Sequence, residues 1–210
     1  MSGPPPPIST SPSSSRCLGR GDTPQPPGRR EAILAAALEL FRQRGFHSVG
    51  IDEIGTSAGI SGPGVYRHFP SKSSLLVALF DRLSERMLVA AEEIQKADCP
   101  PEETLDRLVV FHVATAVAEP ALLAVWQQDA QSLPRPDRQR IHDRQVGYSA
   151  VWEATLARLR PELSSGEAHT VVHAAIGAVN SVAFHDTALG PGKLEGLLGD
   201  AARAVLAGKP

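Results

Sequence analysis

The run Gly59-Ile60-Ser61-Gly62-Pro63-Gly64 constrains this chain more than any other stretch. Inside a helix each glycine costs about 1 kcal/mol and a proline about 3 kcal/mol relative to alanine. Yet apolar residues at helical spacing flank the run, with Ile51, Ile54 and Ala58 before it and Val65 and Phe69 after it. The pattern resolves as a short helix, a tight turn and a second short helix. Gly59 supplies the positive φ that the turn needs. Ile60 fills the gap between the helices, and Ser61 is the natural N-cap of the second one. Gly62 and Pro63 then fall in a first turn whose N–H groups have no intrahelical partner, so proline forfeits no bond there.

Two short helices joined by a glycine turn make a helix-turn-helix unit. In such units the N-terminal end of the second helix enters the major groove of double-stranded DNA. Ser61, Gly62, Pro63 and Gly64 form that end here. The two glycines bring main chain close to base edges, and Pro63 meets a thymine methyl. Behind them Tyr66, His68 and Lys72 are hydrogen-bond donors suited to phosphate oxygens, which position a protein without reading sequence. Val65 and Phe69, one turn apart, face the core. Charge distribution agrees. Residues 29–86 carry eight Lys/Arg against six Asp/Glu, whereas residues 87–210 carry eleven against sixteen. A basic front on an acidic body fits nucleic-acid contact by the front alone.

The rest of the chain reads as helices. Residues 1–28, with "PPPP" and "SPSSS", hold almost nothing apolar to bury and are expected to form a disordered arm. A first helix covers "RREAILAAALELFRQR" and stops at Gly45. A long amphipathic helix starts near residue 72 and runs to about 97. Further helices follow over "PEETLDRLVVFHVATAVAEP", "PALLAVWQQDAQSL" and "PRPDRQRIHDRQVGYSAVWEATLARLRP". Ser164 and Glu167 form a capping box that opens "EAHTVVHAAIGAVNSVAFHDT", and a last helix covers about 192–206. No period-two alternation appears, so the fold class is all-α with about nine helices. The start lacks the order of a secretory signal, and no apolar run approaches the roughly 18 residues of a membrane span. Cys17 and Cys99 read as free thiols in a reducing compartment. The expectation is a cytoplasmic protein with no membrane contact.

The segment "AILAAALELFRQRGFHSVGIDEIGTSAGISGPGVYRHFPSKSSLL", residues 32–76, resembles the tetracycline-repressor (TetR) family of bacterial transcription regulators. The specific signature is Tyr66-x-His68-Phe69, then Ser71-Lys72, after the turn Ala58-Gly59-Ile60-Ser61. The resemblance implies a three-helix DNA-binding domain over 29–76 and a helical ligand-binding and dimerisation domain over 77–210. It implies a homodimer built through the last two helices. It assigns Tyr66, His68 and Lys72 to phosphates and residues 61–64 to the groove, with Arg67 at a variable contact position. Many members carry threonine where Gly50 stands, so Ser48 takes over part of that role or the contact is missing. Gly55 replaces a common alanine and loosens its helix by about 1 kcal/mol.

Polar and aromatic residues inside the later helices are candidates for a small-molecule site: Phe111, His112, Trp126, Gln127, Tyr148, Trp152, His173, Asn180 and Phe184. Tyr148 and Trp152 share a face, as do His173, Asn180 and Phe184. An apolar cavity with a few polar groups is how effector sites are built. The segment 126–163 is similar to members of the family that respond to acyl-CoA thioesters. That similarity implies a bulky, partly apolar effector with Arg138, Arg140 or Arg144 near a phosphate or carboxylate. Together these features predict a repressor released from a palindromic operator by a fatty acyl or acyl-CoA compound. The alternative is a helical enzyme using His112, Asp129, His173, His185 or Asp186. No His-Glu-x-x-His, Gly-x-Ser-x-Gly or phosphate-loop motif supports it. No catalytic residue, metal or cofactor is expected.

Overall fold

The computed structural model describes residues 28–185 and 187–208. The arm up to residue 27, with Arg16, Cys17 and Arg20, lies outside the described residues, as does Asp186. Among the described residues there are nine α-helices and no strand. They are α1 (Arg29–Arg44), α2 (Ile51–Ser57), α3 (Gly62–Tyr66), α4 (Lys72–Lys96), α5 (Pro101–Ala118), α6 (Pro120–Asp129), α7 (Arg135–Leu159), α8 (Ser165–Asn180) and α9 (Pro191–Ala207).

Local chemistry sets these boundaries. Gly45, with φ +75°, ends α1, and Gly59, with φ +69°, makes the turn before α3. Ser71 and Ser74 cap α4 reciprocally: Ser71 Oγ accepts from the Ser74 N–H at 3.1 Å, and Ser74 Oγ accepts from the Ser71 N–H at 3.2 Å. Ser164 and Glu167 form the expected capping box at the start of α8. α5, α6, α7 and α9 each carry proline in the first turn. α8 stops earlier than its sequence pattern suggests and gives way to a 3-10 turn, Ser181–Phe184. Ser181 Oγ donates to the Ala178 carbonyl at 2.7 Å, and a serine bonded back to its own helix weakens the next turn.

The front of the molecule closes over Ile33, Phe41, Ile54, Val65 and Phe69, all essentially buried. Val65 and Phe69 thus face the core as their spacing predicts. α4 leaves this front and packs along α7, with α5 against α7 and α9, and α8 against both α7 and α9. At 25 residues α4 reaches roughly 37 Å and packs on both α1 at the front and α7 behind it. No single helix among the described residues is long and apolar enough to cross a membrane.

Candidate DNA-binding surface and effector cavity

Ser61 caps α3 through its Oγ, which accepts the Gly64 N–H at 3.3 Å. Around this cap Ser61, Pro63, Tyr66, Arg67 and His68 are exposed, with Tyr66 at 54%. Gly62 is not part of that open tip. It is buried, and a Cβ there would stand 1.7 Å from Asp52 Oδ1. A side chain at 62 would therefore have to displace the Asp52 carboxylate of α2. Gly55 has a similar cause: a Cβ would meet the Gly62 N, the Ile60 O and the Ser61 C at 3.0 Å. Instead of merely loosening α2, it admits the turn. Gly64 has only ordinary contacts around it, at 3.4 Å and beyond.

Lys72 differs most from its sequence assignment. Its ammonium donates to the carbonyls of Phe46 at 2.7 Å, Val49 at 2.8 Å and His47 at 3.3 Å. It also lies 4.5 Å from the centroid of the Phe46 ring. All three N–H donors close the turn between α1 and α2, and the side chain is half-buried there. Ser48 and Gly50 are exposed on that turn. The Ser48 carbonyl accepts from Arg44 at 3.2 Å, and the Gly50 N–H donates to Glu53 at 2.8 Å. This is half of a capping box, since glycine has no side chain to return the bond.

Behind the front a cavity of about 520 Å³ lies among α4, α5, α6, α7 and α8. Phe80, Leu83, Met87, Leu123, Val146 and Ile176 give it an apolar body. Its polar wall centres on His112. The Tyr148 hydroxyl is 2.9 Å from His112 Nδ1, and Asn180 Oδ1 is 3.1 Å from His112 Nε2. An amide oxygen only accepts, so Nε2 carries the proton and Nδ1 accepts from the tyrosine. Burial pushes the His112 pKa down to about 4, so the ring is neutral at ordinary pH. Burial likewise raises the Tyr148 phenol above its usual value and keeps it a donor.

Of the predicted effector residues, His112, Trp126, Tyr148, His173 and Asn180 line this cavity. Trp152 does not. It is fully buried behind His112 and Tyr148, with ring centroids 5.9 and 6.0 Å from theirs. Phe111 is also absent from the wall, and Phe184 is 63% exposed because α8 has already ended. Gln127 lies in an adjoining polar recess of about 500 Å³, which shares Trp126, His142, Gln145 and Asn180 with the cavity. Arg138 lines that recess and bonds Gln131. Arg140 and Arg144 do not. Arg140 bridges Asp81 of α4 and Asp137, and Arg144 bonds the same Asp81, so two carboxylates already face the two guanidiniums. The sequence reading missed a polar stripe on α7, His142, Gln145, Ser149 and Glu153, whose steps of three and four are visible in the sequence.

The cavity and the front share α6. Leu123 and Trp126 line the cavity, and Asp129 accepts the Phe46 N–H at 3.1 Å from a buried position. Ser132 adds a bond to His47 at 3.0 Å. Asp129 is thus a structural acceptor between the two halves, while His112 belongs to the cavity.

Residues 33–79 match the family described as "Bacterial regulatory proteins, tetR family", and residues 98–185 match "Tetracyclin repressor-like, C-terminal domain". Together these account for more than half of the chain. A curated relative, the HTH-type transcriptional activator FasR of Mycolicibacterium smegmatis, is 48% identical over 54 residues, 26% of this chain and 25% of that protein. The matched stretch thus spans a quarter of that relative's length. The solved structure of the ketosteroid transcriptional regulator KstR2 of Mycobacterium tuberculosis superposes with a TM-score of 0.75 at 23% identity, covering 87% of this chain and 95% of that one. FadR from Bacillus subtilis in complex with stearoyl-CoA superposes with a TM-score of 0.67 at 20% identity, covering 86% and 99%. At these identities the likeness to the two structures establishes the fold.

Proposed function

The chain belongs to the tetracycline-repressor (TetR) family of bacterial regulatory proteins, and from that premise we propose that it is a dimeric transcriptional repressor released from DNA by an amphipathic acyl compound. Residues 29–76 form the DNA-binding part and 77–210 the effector-binding and dimerisation part. Ser61, Pro63 and Gly64 approach bases, and Tyr66, Arg67 and His68 hold the backbone. Lys72 shapes the unit from inside. The protein works in the cytoplasm, as a regulator and not as an enzyme.

One observation carries the regulatory reading. α6 lines the cavity with Leu123 and Trp126 and, three residues beyond Trp126, holds the Phe46 N–H of the DNA-binding part through Asp129. An effector that moves α6 therefore acts on the α1–α2 turn, provided it binds the two arrangements unequally. The apolar cavity beside a polar recess supports an effector with an apolar body and a polar head, with Arg138 at the recess. The structurally similar FadR of Bacillus subtilis is in complex with stearoyl-CoA, a molecule with an apolar chain and a polar head.

The open faces of α8 and α9 support dimerisation through the last two helices. Gly177 and Gly196 have no atom within 4 Å of an added Cβ, and Leu197 is 52% exposed. Small residues beside an apolar one suit close antiparallel contact between two copies. The experiment is DNA binding by the full chain, on its own upstream DNA, with stearoyl-CoA, stearate or coenzyme A added. Release by stearoyl-CoA but not by coenzyme A supports the reading. DNA affinity indifferent to all three would overturn the acyl assignment.

A further inference from the structure

Glu153, His169 and His173 meet where α7 packs on α8. His169 and His173 stand four residues apart on α8, so both imidazoles leave the same face. Their ring centroids are 4.3 Å apart. Glu153 reaches across from α7 and places Oε1 2.9 Å from His169 Nδ1. One ligating atom from each residue lies within 4.8 Å of the other two. Two imidazoles and a carboxylate from two helices form a donor set suited to borderline divalent cations, whereas Mg²⁺ and Ca²⁺ prefer oxygen alone.

We propose that Glu153, His169 and His173 form a binding site for a divalent transition-metal ion of the Zn²⁺ class on the wall of the effector cavity. Ligands at the usual Zn²⁺ distances in a tetrahedron are about 3.4 Å apart. The three side chains need only close by about an ångström or so to reach that spacing. They are free to do so: the His169 side chain is 59% exposed and that of Glu153 28%. Without a metal, the group is a single His–Glu contact beside a second histidine. With one, the ion ties α7 to α8 and neutralises a carboxylate. Three protein ligands leave a fourth position, and the same three residues line the cavity. Water or a donor atom of a cavity ligand completes the site.

The test uses the untagged full-length chain without DNA, so its outcome is separate from that of the operator and acyl experiments. Titration calorimetry with ZnCl₂ and with MgCl₂ is run on the wild type, His169→Ala, His173→Ala, Glu153→Gln and His142→Ala. The expected result is one Zn²⁺ per chain and no Mg²⁺. Each cluster-histidine change lowers Zn²⁺ affinity on the order of 100-fold or more, at least the upper end of what outer-shell changes cost, and Glu153→Gln lowers it by roughly tenfold. His142→Ala, which removes another cavity histidine, leaves it unchanged. Co²⁺ on the wild type provides a readout that needs no variant to fold: intense visible bands mark a four- or five-coordinate site, and a pale octahedral spectrum contradicts it. No Zn²⁺ uptake, or uptake that survives both histidine changes, overturns the proposal.

Discussion

Gly62 owes its identity to Asp52. A Cβ at 62 would drive the Asp52 carboxylate from its place, 1.7 Å away, at the cost of a rotamer, about 1 kcal/mol. Gly62→Ala should therefore be about 1 kcal/mol worse with Asp52 present than in an Asp52→Ala background, as read by urea unfolding in a double-mutant cycle. A zero coupling term would place the constraint elsewhere. His112 carries a second prediction at this scale. Its folded pKa, about 4, lies below the ordinary value of 6.5. A depressed folded pKa means that the unfolded chain takes up the proton first. Stability from this residue is therefore complete above pH 6.5 and is lost as pH falls toward 4. At one pK unit per 1.36 kcal/mol the loss is on the order of 3 kcal/mol. Unfolding measured from pH 7.5 to 4 should slope downward in the wild type and less steeply in His112→Gln. Equal slopes would remove His112 as the cause.

At the scale of elements, the turn between α1 and α2 is tied from two helices. Lys72 of α4 holds three of its carbonyls, and Asp129 of α6 holds the Phe46 N–H. Lys72→Ala leaves partly buried acceptors without their charged donor and should lower stability by about 1 to 3 kcal/mol. The salt dependence of DNA binding should keep its slope. A slope reduced by about 1.8, two phosphates per dimer at about 0.9 each, with stability unchanged would return Lys72 to the phosphates. Asp129→Ala removes a buried acceptor at similar cost and weakens the link to the cavity. We expect it to bind DNA while needing more effector for release, measured as the effector dose that halves DNA binding. An unshifted dose would show that α6 is not the route. Here the sequence was a partial guide. Periodicity and caps located α1 to α9 because those signals are local. The inward turn of Lys72, the role of Asp129 and the capture of Arg140 and Arg144 by Asp81 depend on helices distant in sequence, which spacing does not reveal.

At the scale of the whole molecule, the cavity shows the same division. His112, Trp126, Tyr148, His173 and Asn180 were legible as polar or aromatic residues in apolar helices, and they converge. Trp152 was drawn in by sharing a face with Tyr148, yet it fills the core behind it. Phe184 was placed by extending α8 through Ser181, where the helix ends. The Glu153–His169–His173 cluster leaves no contiguous metal motif in the sequence because its donors are split between α7 and α8. Two copies of the chain are expected to present two α3 helices to successive major grooves. The most direct test is selection of random duplex DNA on the full chain, followed by sequencing of the bound fraction. The expected result is enrichment of a two-fold symmetric site whose half-sites lie about one helical turn apart, lost in a Tyr66→Ala, His68→Ala double variant that remains folded. Enrichment of a single asymmetric site, or none at all, would contradict it.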